Sequence, residues 1–298
     1  MDGLFNEFEV ERIKTSLKTK STIKNLVNFS QEEIENSIII YNDINTIGNA
    51  YLSESPTISL FTLLDETIDY FNLFEPRESN EISKYIYQLL KNINITQSDS
   101  VEDNMFIFFN AIKANTGWIR IPTEIIIPDK LTKEAPAHLA HELSHVLKEL
   151  NSNEFKYINV MQDVIPLLIE LIIALEHEDL KVKLNIVNKI QSDFYATALR
   201  TKELQGSLGD TKNPFIQIYI KEAIQINYQY FNSLYYSLAL LDLYLENPRI
   251  VLNSVKNVLL RQKTTRELID ELLPSRDIKM GHYKDGISEY NSFIVKGQ

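Results

Sequence analysis

The sequence predicts a mainly α-helical fold with one short strand or hairpin near its middle. Three observations lead there. Glycine (8) and proline (9) are scarce among 298 residues, so few turns are punctuated and long helices are favoured over many short strands. Apolar residues recur at a helical period over most of the chain. One stretch, Thr116–Pro128, breaks that rhythm with a run of β-branched residues.

The elements follow in order. From Leu4 to about Leu90 the pattern is helical, as in "EEIENSIIIYNDINTIGNAYL" and "TISLFTLLDETIDYFNLF". Ser30, with Glu33 three residues on, has the capping-box pattern of a helix start. "NLFEPRESNE" ends one helix and begins the next, and the polar "QSDSVEDN" (Gln97 to Asn104) reads as a surface loop. "TGWIRIPTEIIIP" then reads as one or two short strands, opened by Gly117 and closed by Pro128. Pro122 cannot donate to a ladder, which predicts an edge position. After Thr132 the helical period returns and persists, with no internal repeat.

Composition excludes several function classes. The net charge is −11 and no Lys/Arg cluster stands out, so no nucleic-acid partner is expected. The most basic segment, "RIKTSLKTKSTIK", reads as a solvated helix face. There are no cysteines, which removes disulfides, thiolate metal sites and a cysteine nucleophile. Any metal must be held by His, Asp, Glu and water. The start, "MDGLFNEFEVERIK", lacks an apolar secretory core. The longest strongly apolar run, Val164 to Leu175, is too short to span a bilayer and carries a glutamate. No membrane association is expected, and the expected setting is the cytoplasm.

"APAHLAHELSHVLKEL" carries the chemistry. His141, Glu142, Leu143, Ser144 and His145 spell H-E-x-x-H. On a helix, Leu139, Leu143, Val146, Leu147 and Leu150 share one face. His138, His141, His145 and Glu149 share the opposite one. A spacing of four puts two imidazoles one turn apart, within reach of a single ion. Glu142 lies ~100° round from His141, where a base acting on a metal-bound water belongs. The bland alternative is a helix surface with two solvated histidines. A catalytic zinc site needs a third protein ligand. Glu170 is the only polar side chain between Val164 and Leu175, and a buried carboxylate must be paired or metal-bound. It is therefore the first candidate, ahead of Glu176 and His177, with pairing to a tyrosine or arginine as the alternative. Asp163 and Glu149 are candidates to receive the second N–H of a ligating histidine. His138 reads as solvated or as a substrate contact.

"HLAHELSHVL", with Glu170 29 residues after His141, resembles the catalytic core of the thimet oligopeptidase and oligoendopeptidase F family. The likeness spans roughly Gly117 to Tyr244, and full-size members are considerably longer. It implies a helical zincin-type metallopeptidase that cuts oligopeptides, with Zn2+ held by His141, His145 and Glu170 and with Glu142 as general base. It implies that the "GWIRIPTEIII" strand pairs with extended substrate. The family also carries a histidine and tyrosines on a later helix, over the substrate carbonyl. Here "INYQYFNSLYYSLALLDLY" offers Tyr228, Tyr230, Tyr235 and Tyr236, and Tyr235 and Tyr236 are the expected oxyanion donors. The histidine has no counterpart in that segment; the only later one is His282, in "KMGHYKDG". On this reading residues 101–298 form the catalytic helical region. Residues 1–100 form an N-terminal helical region, a candidate wall of the substrate channel, and the two make one compact unit. Two alternatives stand beside it: a regulatory protease with a single protein substrate, and a non-catalytic helical peptide-binding protein with a metal-bound or degenerate site. Cleavage preference and oligomeric state have no sequence signal.

Overall fold

The computed structural model describes residues 31–75, 80–99, 105–114, 117–149, 161–274, 285–286 and 288–292. Nine helices named here and one three-stranded sheet carry the described chain: α1 (Gln31–Ile47), α2 (Leu60–Tyr70), α3 (Glu81–Asn92), β1 (Asn94–Ser98), β2 (Phe106–Ala114), β3 (Gly117–Pro128), α4 (Ala135–Glu149), α5 (Val164–Glu176), α6 (Leu180–Asp210), α7 (Pro214–Glu246), α8 (Pro248–Leu259) and α9 (Thr265–Leu272). The mainly α expectation is met, and the strands directly precede the H-E-x-x-H helix.

Short polar side chains start these helices by satisfying backbone N–H groups that have no helical partner. Ser59 caps α2, Asn80 caps α3, Asp179 caps α6 and Asn213 caps α7. Thr264 and Glu267 form a full capping box on α9. Gly48, at a φ of 83°, ends α1, a left-handed conformation that costs glycine little. The predicted cap Ser30, the basic segment near the N-terminus and His282 lie outside the described residues. Glu33 is buried, and Arg266 Nη2 donates to it at 2.7 Å.

The centre of the molecule is α5. Every residue from Val164 to Ala174 is buried, as an all-round apolar helix requires. The helices α4, α6 and α7 pack around it. A single apolar cluster joins Ile40, Leu63 and Ile86 to Leu143, Leu168 and Leu238, so the core runs across the boundary at residue 100. Among the described residues no helix is long and apolar enough to cross a membrane.

The sheet corrects one expectation. Its order is β1-β3-β2, with β3 parallel to β1 and antiparallel to β2. Pro122 thus sits in the central strand, not in an edge strand. The proline is tolerated because β1 pairs only with residues from Glu124 to Pro128, leaving β3 unflanked on that side at Pro122. A register shift between Phe108 and Phe109 also falls opposite it, and bulges accommodate proline. Gln97 and Ser98, expected in a loop, end β1 instead.

Two connections brace the bundle. The extended segment after α1 is held by its backbone to α6: Asn185 binds Ser53, Asn188 Nδ2 donates to Tyr51 O at 2.8 Å, and Gln191 Nε2 donates to Gly48 O. Near the C-terminus, fully buried Tyr290 donates its hydroxyl to Gln191 Oε1 at 2.8 Å. Gly286 lies so close to α7 that a Cβ there would run into the Leu238 carbonyl. Backbone cannot yield as a side chain can, so Gly286→Ala should destabilise the protein by ~1–3 kcal/mol. Chemical denaturation would show it as a lowered midpoint; a parental midpoint would contradict the close packing.

Candidate metal centre

The α4 helix is set down on its apolar side. Leu139, Leu143, Val146 and Leu147 are buried, while His138, His141, Glu142 and His145 keep partial exposure. The chain enters through Thr132, which bridges to Thr57, and its carbonyl receives Ala135 N. The start of α5 arrives opposite. Its N-cap residue is Asp163, yet that carboxylate makes no capping hydrogen bond, although aspartate is among the residues preferred for that role. Its Oδ1 stands 3.2 Å from His145 Nε2 instead.

Three donor atoms converge here. His141 Nε2 and His145 Nε2 are 3.3 Å apart, and donor atoms of His141, His145 and Asp163 all lie within 4.8 Å of one another. Donors about 2.0–2.1 Å from a tetrahedral zinc stand ~3.3 Å apart along each edge, so the spacing fits. The donor set fits as well: two imidazoles and a carboxylate suit a first-row divalent cation better than magnesium or calcium, which prefer all-oxygen sites. His145 Nδ1 is buried with no hydrogen-bond partner among the described residues. The ring is thus held through Nε2, the nitrogen that faces the cluster. This group can hold a metal ion.

Glu170 comes to His141 from the other side of the ring. Its Oε2 lies 3.0 Å from His141 Nδ1, and its Oε1 meets His138 Nδ1. The lone buried carboxylate of α5 is therefore paired with histidines, and it stands behind His141 rather than beside Asp163. Glu176 and His177 are at the far end of α5, 13 and 14 residues beyond Asp163 and ~20 Å along the helix. There Glu176 accepts from the Tyr244 hydroxyl at 2.9 Å, and His177 Nδ1 accepts from Asp179 N. The side chain of Glu149 lies outside the described residues.

Tyr235 and Tyr236 are buried and meet edge to face, ring centres 5.6 Å apart. Burial pushes each phenol up to about 12, with Glu32 adding to it at Tyr235, and Glu32 and Glu33 at Tyr236. Those neighbours belong to α1, so this pair lies near the start of α1. Tyr228 also meets α1, through Tyr41, and its hydroxyl accepts from Gln205. A different tyrosine feels the charges of the cluster. Ser237 donates to Val164 O at 2.9 Å, which registers α7 against the start of α5. Tyr230 lies two turns earlier on the same face and so extends past Val164 towards Asp163. Its ring stacks flat on Phe194, centres 4.1 Å apart. Burial raises its pKa well above the usual value, and Asp193, Asp163, Glu170 and Glu142 raise it further. The sequence signal for Tyr230 is the stripe Tyr230, Ser233, Ser237, hydroxyl side chains at helical spacing.

Electrostatics tie the cluster together. Burial alone would lower the His141 imidazole, but the bond to Glu170 and the charges of Glu170, Glu142 and Asp163 lift it to about 9. Burial would raise Glu170, yet His138 and His141 hold it down to about 2. Glu142 is raised, chiefly by burial, with His141 and His145 opposing. The signs give a pH profile for the metal-free protein. The raised His141 contributes stability that is full below its ordinary 6.5 and is lost as pH climbs through about 9. The depressed Glu170 contributes stability that is full above its ordinary 4.5 and is lost as pH falls through about 2. Thermal unfolding without metal should therefore show a plateau between those ordinary values and a decline on either side. A metal must displace the His141 proton, so zinc affinity should climb with pH up to about 9. Competition titrations at several pH values would check it; a flat affinity would contradict it.

No family model matches the sequence, and no curated protein matches it. One solved structure does match in shape, that of a "putative peptidase from Chlamydophila abortus". It is similar with a TM-score of 0.53 at 12% sequence identity, over 92% of this chain and 57% of that one. At that identity the likeness is one of fold. The chain spans little more than half the length of that neighbour, 57%.

Proposed function

We propose that this chain is a zinc-dependent peptidase acting on oligopeptides, with the ion held by His141, His145 and Asp163. The observation that carries it is the convergence of donor atoms of His141, His145 and Asp163 within 4.8 Å of one another, with His145 Nε2 3.3 Å from His141 Nε2 and 3.2 Å from Asp163 Oδ1, and with Glu142 beside them. The fold shared with a "putative peptidase" supports the same reading. Zinc at that position supplies a Lewis acid and brings the pKa of a coordinated water towards ~7.

The protein groups then divide the work. Glu142, made more basic by burial, takes the proton of the attacking water and passes it to the leaving amine. Glu170 accepts from His141 Nδ1 and so turns Nε2 towards the ion. It is thus assigned to orienting the ligand, and Asp163 to the third ligand position. Tyr230, whose raised pKa keeps it protonated, donates to the substrate carbonyl oxygen as charge develops there. Tyr230→Phe should lower kcat ~10²–10³-fold, while Tyr235→Phe and Tyr236→Phe stay near the parent; the reverse pattern in steady-state kinetics would return the role to that pair.

Substrate would enter as a strand. β2 is at one end of the sheet and packs against α4, so a peptide paired along β2 would lie beside the histidines. Within the first hundred residues, α1 packs along α7 and braces this arrangement. A cytoplasmic setting belongs to the same reading, and the cysteine-free composition is compatible with it. The test is a panel of short peptides incubated with zinc-loaded protein. Cleavage that a chelator stops and zinc restores is expected. A panel left intact by zinc-loaded protein would contradict an oligopeptidase.

A further inference from the structure

His138 is the member of the site that this chemistry leaves without a part. It stands one turn before His141 on α4, and its side chain is 15% exposed, so it is not the solvated histidine that the helix pattern suggested. Its Nδ1 meets Glu170 Oε1, while Oε2 of the same carboxylate lies 3.0 Å from His141 Nδ1. Glu170 is 4% exposed on a helix whose other residues from Val164 to Ala174 are all apolar and buried. A carboxylate in such a place has little water to turn to, and each oxygen needs a donor from the protein. The two histidines supply one each.

We propose that His138 is a positioning residue that sets the metal affinity without touching the metal. Its Nδ1–H donates to Oε1 and fixes the plane of the Glu170 carboxylate. Oε2 is then aimed at His141, accepts its Nδ1–H, and leaves the Nε2 lone pair facing His145 and Asp163. Without His138 the carboxylate can rotate to satisfy its stranded oxygen, and the His141 ring loses its fixed orientation. Partners of this outer kind typically change metal affinity 10–100-fold. The inference rests on the metal reading of the preceding section.

The test measures zinc affinity of the full chain by competition with a chromophoric chelator, with thermal unfolding of the metal-free protein as a control for folding. His138→Leu should bind zinc ~10-fold or more weakly. His138→Asn should stay within about threefold of the parent, because its side-chain nitrogen occupies the same δ position and can donate to Oε1. In a Glu170→Gln background, His138→Leu should add little further loss, since changes acting through one network are not additive. Parental affinity in His138→Leu would overturn the proposal while leaving the metal site standing. Equal losses in the Leu and Asn variants would overturn the hydrogen-bond route, as would a full extra loss in the Glu170→Gln background. Should His138→Leu not fold, His138→Gln, whose amide lies one methylene too far out, reads the same loss. A parent protein that binds no zinc would overturn both the proposal and the function it rests on.

Discussion

Glu142→Gln should leave the protein folded and zinc-loaded and lower peptide hydrolysis ~10²–10⁴-fold, the range that a positioned general base contributes. The prediction follows from placement. Glu142 belongs to α4 between His141 and His145, the proposed ligands, and it feels His141, His145, Asp163 and Glu170 at once. Burial pushes its pKa up, which brings a carboxylate closer to the pH at which a base works best. Glutamine keeps the volume and the hydrogen-bonding reach but cannot accept a proton. Since Glu142 is not one of the proposed ligands, zinc content should not fall. Peptide hydrolysis at the parent's rate would remove Glu142 from the mechanism; loss of zinc together with activity would mean that the side chain holds the ion.

The second large effect separates the two carboxylates of α5. Asp163→Ala should abolish stoichiometric zinc binding, because it leaves two imidazoles where a stable site needs three protein ligands. Glu170→Gln should still bind zinc, ~10–100-fold more weakly, as expected for a group that only orients a ligand. Titrations with a zinc indicator on both variants decide it. If Glu170→Gln loses the ion and Asp163→Ala keeps it, the ligand set is His141, His145 and Glu170, as the family resemblance implies.

The contrast shows what a sequence can and cannot say about such a site. The histidine pair was legible because helix geometry is local: a spacing of four fixes which face two side chains share. Glu170 was legible as a buried carboxylate because it stands alone in an apolar run. Its partners were not, because they depend on where α5 crosses α4 and on which ring nitrogen each carboxylate meets. Asp163 and Glu170 are seven residues apart, two turns of one helix face, yet they meet opposite sides of the histidine cluster. Tyr235 and Tyr236 look attractive in the sequence as a pair, but the phase of α7 turns them to α1. Tyr230, five residues earlier, shares the phase of Ser237, which meets α5. The place of Pro122 was hidden for a similar reason. Strand β1, "NITQS", has no apolar alternation to reveal it, and its pairing makes β3 the middle strand.

The most direct test of the account is the metal content of the wild-type protein purified without added zinc, read by elemental mass spectrometry against protein concentration. The convergence of His141, His145 and Asp163 predicts about one zinc per chain, removed by a chelator and regained on adding the metal. A protein that holds no metal, even after incubation with zinc, would contradict the central claim.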